Sequence, residues 1–161
     1  MIILVVSIIS FILEYVFNCF FHGSIFVPLV ILTSIILLEP YFCKDRKKYF
    51  IFCFVIGFLY DLIYSGNYFL DSGLFLLIGV IVCYINGNMS NNFFVFLIEL
   101  LFLIIFYRVS SFCIFFVNGF IPFSLLFRSI YCSLLLNVIY GGFMYFILYF
   151  VSKGLHIKRI C

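Results

Sequence analysis

Six long apolar runs follow one another along this chain, with only short polar connectors between them. A membrane-spanning helix needs about 20 predominantly apolar residues, and no soluble fold offers a place for so many such runs in succession. The runs read as helical spans over roughly 2–21, 25–39, 49–64, 68–85, 93–116 and 123–151. Composition agrees. The chain is 68% hydrophobic and 9% charged, whereas soluble domains are about 25% charged. The expected class is therefore an all-α integral membrane protein, a single transmembrane domain over 1–161 with six helices in one bundle. The first run has no basic start and no small-residue cleavage site, so it is read as a span and not as a removed leader.

The polar residues inside the runs are few and regularly placed. Cys53, Gly57, Asp61 and Ser65 recur every four residues, which puts them on one helix face. Behind Ser65, Gly66-Asn67 signals a turn. Ser7, Ser10, Glu14 and Asn18 make a stripe on the first span, and Ser129, Ser133, Asn137 and Gly141 make one on the last. Such stripes are expected to face protein, and those of spans one, three and six to face one another. Gly79, Cys83 and Gly87 form a small-residue face on the fourth span that invites a tight hairpin with the third. The second span opens near Pro28 and closes at Glu39-Pro40.

Charge sets a topology. Lys44, Arg46, Lys47 and Lys48 lie between spans two and three, and Lys153, Lys158 and Arg159 follow the last span. Four spans separate the clusters, so both fall on one side, which the positive-inside rule makes cytoplasmic. Five spans would split them. Each basic cluster abuts a hydrophobic span, so a membrane reading is preferred to nucleic-acid binding.

The ionisable groups within spans are Glu14, Asp61, Glu99, Arg108 and Arg128. They could line a substrate or ion path, or they could order the bundle by pairing; the second reading is the simpler one, because Pro28, Pro40 and Pro122 sit at span ends and not at mid-membrane breaks. Glu99 and Arg108 are nine residues apart, on opposite faces of one helix, so each needs a partner elsewhere. Asp61 is expected to contact Arg128, with Arg108 as the competing partner. The sequence has no phosphate loop, GxSxG, HExxH or dinucleotide fingerprint. Its two histidines, His22 and His156, lie in a turn and in the tail, and its seven cysteines are scattered without a CxxC pair. No cofactor, metal or catalytic group is expected.

The stretch GFLYDLIYSGNYFLDSGLFLLIG resembles the signature of the rod shape-determining protein MreD family. Gly57, Asp61, Ser65, Gly66 and Gly79 fall on its pattern of a Gly-bearing helix, an intramembrane Asp, a Ser-Gly turn and a small-residue helix. The closing span, with Asn137 on the family's Asn position and a basic end, is similar too. Val27-Pro28-Leu29 and Asp71 depart from the pattern. The resemblance implies a non-enzymatic component of the bacterial cell-elongation complex in the cytoplasmic membrane. It implies association with MreC, and through it with the MreB cytoskeleton and peptidoglycan-synthesis enzymes. It also implies a fold similar to the substrate-binding subunits of energy-coupling-factor transporters, so a vitamin-binding membrane subunit is the alternative. A small holin-like pore is a third class, for which the chain has more spans than is usual.

Overall fold

The computed structural model describes residues 2–20, 29–42, 45–65, 69–89, 92–117 and 124–154. Among these residues the chain is all helical. The helices are α1 (Ile2–Phe20), α2 (Val30–Leu38), α3 (Arg46–Tyr60), α4 (Leu70–Asn88), α5 (Phe93–Val117) and α6 (Ser124–Gly154). α2 tightens into one 3₁₀ turn, Glu39–Phe42, and α3 widens into one turn of i→i+5 bonding, Asp61–Ser65. Four stretches are long and apolar enough to cross a membrane: Ile2–Phe20, Leu70–Asn88, Phe93–Ile114 and Ser133–Lys153.

α3 to α6 pack as neighbours in chain order, and α2 lies inside their curve, against α4, α5 and α6. α1 packs on α2. The shortest helix is thus the core. None of the nine residues of α2 is more than 5% exposed. At about 1.5 Å per residue α2 is only about 14 Å long, so this described part does not itself cross a ~30 Å hydrocarbon core. The sequence reads residues 25–39 as an ordinary span because hydropathy cannot separate a helix facing lipid from one enclosed by other helices; residues 25–28 of that span lie outside the described residues.

α1 shows how the outer helices are built. Val6, Ser10 and Glu14 are buried, while Leu4, Ile8, Ile12 and Tyr15 are exposed. The polar face turns inward and the apolar face outward, as the bilayer requires. The Ser10 and Ser34 hydroxyls share a hydrogen bond between α1 and α2, and Ser10 Oγ lies 3.4 Å from Tyr140 Oη on α6. The Tyr49 hydroxyl donates to the Ile35 carbonyl over 3.1 Å, joining α3 to α2.

The small-residue faces of α3 and α4 meet, as their spacing predicts. A Cβ on Gly57 would lie 2.7 Å from Ser72 Cα and 3.0 Å from the Asp71 carbonyl oxygen. A Cβ on Gly79 would lie 2.8 Å from Cys53 Sγ. The expected convergence of three stripes is corrected. The α3 stripe faces α4, where Gly57 opens the way. The α1 and α6 stripes face α2: Ser10 meets Ser34, and Thr33 Oγ1 donates to Asn137 Oδ1 over 3.4 Å. α2 lies between the α1 and α6 stripes, apart from the 3.4 Å approach of Ser10 Oγ to Tyr140 Oη.

These contacts rank three glycines. Gly57→Ala drives a methyl into backbone, which cannot yield without moving α4, and should cost about 1–3 kcal/mol. Gly79→Ala meets a side chain and should cost less. Gly73, with nothing within 4 Å of a Cβ, should accept Ala unchanged or with a slight gain. Thermal unfolding of the three purified variants checks the order; an undisturbed Gly57→Ala would refute the close approach.

Candidate functional site

The structure sets two of its buried carboxylates, Asp61 and Glu14, against helix beginnings. The first N–H groups of any helix lack an intrahelical acceptor, and in a bilayer no water supplies one. α4 is entered through Phe69, whose φ of 67° lies in the left-handed region and whose side chain offers no acceptor. Asp61 fills the gap from α3. Its Oδ1 accepts the Asp71 N–H over 3.0 Å, and its Oδ2 accepts the Ser72 N–H over 2.9 Å and the Ser72 hydroxyl. The positive end of a helix favours such an anion by roughly 0.3–1 kcal/mol, and up to about 2 when partly buried. Gly57, one turn earlier, is what lets the start of α4 come within reach.

α2 repeats the device. It is entered through Leu29, again without a side-chain cap. Glu14, fully buried on α1, accepts the Ile31 N–H at Oε2 over 2.8 Å. In both cases the carboxylate comes from the preceding helix. The same end of the bundle carries more polar closure. Asp71 Oδ1 accepts from the Tyr107 hydroxyl of α5 over 2.8 Å. The Tyr64 hydroxyl donates to the Phe11 carbonyl over 3.0 Å. Tyr60, Phe75 and Tyr107 form a ring contact chain with centroid separations of 5.4 and 5.8 Å.

At the opposite end lie the close of α2, the starts of α3 and α5, and the ends of α4 and α6. Glu39 Oε2 accepts from Asn86 Nδ2 over 3.0 Å, and the Tyr41 hydroxyl from α2's last turn reaches the Leu148 carbonyl of α6 over 3.5 Å. Lys48 pairs with Asp45 at 2.6 Å on the exposed surface. Three basic residues in the first turn of α3 oppose its dipole, so helix stability does not account for their presence there. A cavity of about 40 Å³ opens here between Ile36, Pro40, Asn86, Asn92, Phe96 and Glu99. Glu99 is 4% exposed, and its Oε1 is buried without a hydrogen-bond partner.

The singled-out residues are therefore dispersed over two ends and several helix contacts. Gly57, Asp61 and Glu14 build helix starts. Asn137, fully buried, donates to the Ser133 carbonyl over 2.6 Å and accepts from Thr33. Arg108 Nε donates to Ser133 Oγ over 3.4 Å, and its charge is within electrostatic reach of Glu14. Ser65 closes the widened turn, but its side chain, Gly66 and the Arg128 side chain lie outside the described residues, as does the expected Asp61–Arg128 contact. Among the described residues no group of three His, Cys, Asp or Glu side chains could hold a metal ion. Sequence reasoning missed Asp71 and Tyr107 as partners. The available signal was a second acidic residue ten positions after Asp61, in the first turn of an apolar helix.

Comparison of the chain with protein-family models, with curated proteins and with solved structures finds no match.

The two caps differ in a testable way. Both Asp61 oxygens accept hydrogen bonds, so Asp61→Asn turns an acceptor into a donor facing a donor and should cost about 1–3 kcal/mol. Glu14 accepts through Oε2 while Oε1 has no partner, so Glu14→Gln keeps its bond and should be milder, with Glu14→Ala the more damaging change. Ser72→Ala removes the hydroxyl donor to Asp61 and leaves both backbone donors, so it should be milder than Asp61→Asn. Chemical or thermal unfolding in detergent measures all four, and equal losses for Asp61→Asn and Glu14→Gln would refute the assignment.

Proposed function

We propose that this chain is a non-enzymatic scaffold of the MreD kind, a component of the bacterial cell-elongation complex that associates with an MreC-like membrane protein. Through that partner it would serve MreB and the peptidoglycan-synthesis enzymes. The observation that carries the reading is the use to which the resembling residues are put. Gly57, Asp61, Gly79 and Asn137 are spent on helix-to-helix contact. A signature made of packing devices specifies a shape, and a shape is what a scaffold presents to its partners. Large exposed side chains such as Phe143, Phe146 and Phe150 on α6 give it apolar surface for lipid or for partner helices.

The reading includes six spans with both termini in the cytoplasm. Support comes from the bundle's ends. Arg46, Lys47 and Lys48 open α3, and Lys153 lies in the last turn of α6. The Tyr41–Leu148 hydrogen bond brings the approach to the first cluster beside the approach to the second. A shared basic end is what the positive-inside rule assigns to the cytoplasm.

Purification of the tagged protein from native membranes tests the function. Recovery of an MreC-like protein with wall-synthesis enzymes is the expected result. Recovery of an ATPase-bearing transporter module would overturn the scaffold in favour of a vitamin-binding subunit. Reporter fusions after Lys48 and at Cys161 should both report cytoplasm, and an opposite signal from either would remove the six-span topology.

A further inference from the structure

Two voids border Glu99. One is an apolar groove of about 410 Å³ between α4 and α5, walled by Ile81, Ile98 and Phe102 among others. The other is the cavity of about 40 Å³ at the close of α2, between Ile36, Pro40, Asn86 and Asn92. The second gathers hydrogen-bond acceptors. Asn86 gives an amide N–H to Glu39 over 3.0 Å, which leaves its Oδ1 to accept. Pro40 has no N–H to offer the Ile36 carbonyl four residues back, and the end of α2 is the negative end of its dipole. Glu99 is 4% exposed, and its Oε1 is buried without a hydrogen-bond partner. Among the described residues the charge acting on Glu99 is that of Glu39, which has the same sign. Glu39 is itself answered by Asn86 and by the charge of Arg46. Glu99 has no such counterion among the described residues.

We propose that the cavity at the close of α2 binds a monovalent metal cation, Na⁺ or K⁺, with Glu99 as its charged ligand. Size, charge and ligand type select that occupant. A buried water needs roughly 10–15 Å³ of such space, so about 40 Å³ holds an ion of water size with about two waters beside it. A buried charge is stable only when paired or bound to a metal ion, and one uncompensated carboxylate is neutralised by a single positive charge. A divalent ion would leave an excess charge buried, and Mg²⁺ would also demand a near-ideal octahedron. The ligands are a carboxylate, an amide oxygen and the carbonyl end of a helix, all hard oxygen donors of the kind that alkali cations take. They are not the His and Cys set of a transition metal, and among the described residues no such group of three exists. Asn92 is exposed and lies on the cavity wall, so the ion has an entrance at that end of the bundle. This inference is independent of the scaffold reading, since a cation completes the bundle whatever partner the bundle serves.

Thermal unfolding of the full chain in detergent tests it, in sodium, potassium and choline chloride at equal ionic strength. At least one of the two metal ions should raise the midpoint saturably over choline, by roughly 5–10 °C at a hundredfold excess over Kd. Glu99→Gln keeps the size of the side chain and removes its charge. In choline it should unfold at a higher temperature than the unaltered chain, because no lone carboxylate is buried, and it should respond to neither metal ion. A merely structural Glu99 would not couple those two effects. Glu14→Gln alters the other carboxylate that keeps a buried oxygen without a partner, and it should retain the response. Equilibrium binding of radioactive sodium or rubidium should saturate in the unaltered chain and be lost in Glu99→Gln. Equal midpoints in the three salts would overturn the proposal whether or not Glu99→Gln folds. So would a metal response that survives Glu99→Gln, or one that Glu14→Gln loses as well, which would mark a general effect of buried charge. A response to ammonium and to neither metal ion would overturn it in favour of a small amine.

Discussion

A helix whose first turn is buried among other helices has N–H groups with no water to bind. That constraint governs this structure more than any hydrophobic contact does, because apolar side chains gain little by leaving lipid for a protein interior that is equally apolar. An orphan N–H or carbonyl, by contrast, costs several kcal/mol in hydrocarbon. α2 and α4 start at Leu29 and Phe69, residues with no side-chain acceptor. Glu14 and Asp61 answer from the preceding helices. The enclosure of α2 and the closeness of the α3–α4 hairpin both depend on those contacts. Gly57 belongs to the same device, since Asp61 could not reach the α4 backbone across a larger side chain.

The parts legible in the sequence are those encoded by residue type and spacing. The small-residue faces of α3 and α4 predict the hairpin, and the four-residue stripe on α1 predicts which side of it turns inward. The polar groups within spans mark the buried positions Glu14, Asp61, Glu99 and Asn137. The partners of Glu14 and Asp61 were not legible, because the N–H donors are backbone. A search for the partner of Asp61 among side chains finds arginines, since the N–H groups of Asp71 and Ser72 are written nowhere in the composition. The arrangement of stripes failed for a related reason. Hydropathy ranks α2 among the most apolar segments but does not say whether apolar surface meets lipid or other helices, and the helix between the stripes decides which of them touch.

The bundle is consequently uneven from end to end. Where α2 and α4 begin, Glu14 and Asp61 accept from backbone N–H groups, and Asp71–Tyr107 draws α5 to the same end. At the basic end Glu39 is met by Asn86, whereas Glu99 keeps an unpartnered oxygen beside a cavity and a groove. Interactions that order a fold are strongest where every member is satisfied, and a half-satisfied group is a liability unless something else completes it. Asp61 accepts at both oxygens, whereas Glu14 and Glu99 each keep one buried oxygen without a partner. The ends differ instead in how the helices are tied: Asp61 on the α4 backbone and Tyr107 on Asp71 draw α3, α4 and α5 together at one end, and at the other a cavity and a groove open beside Glu99.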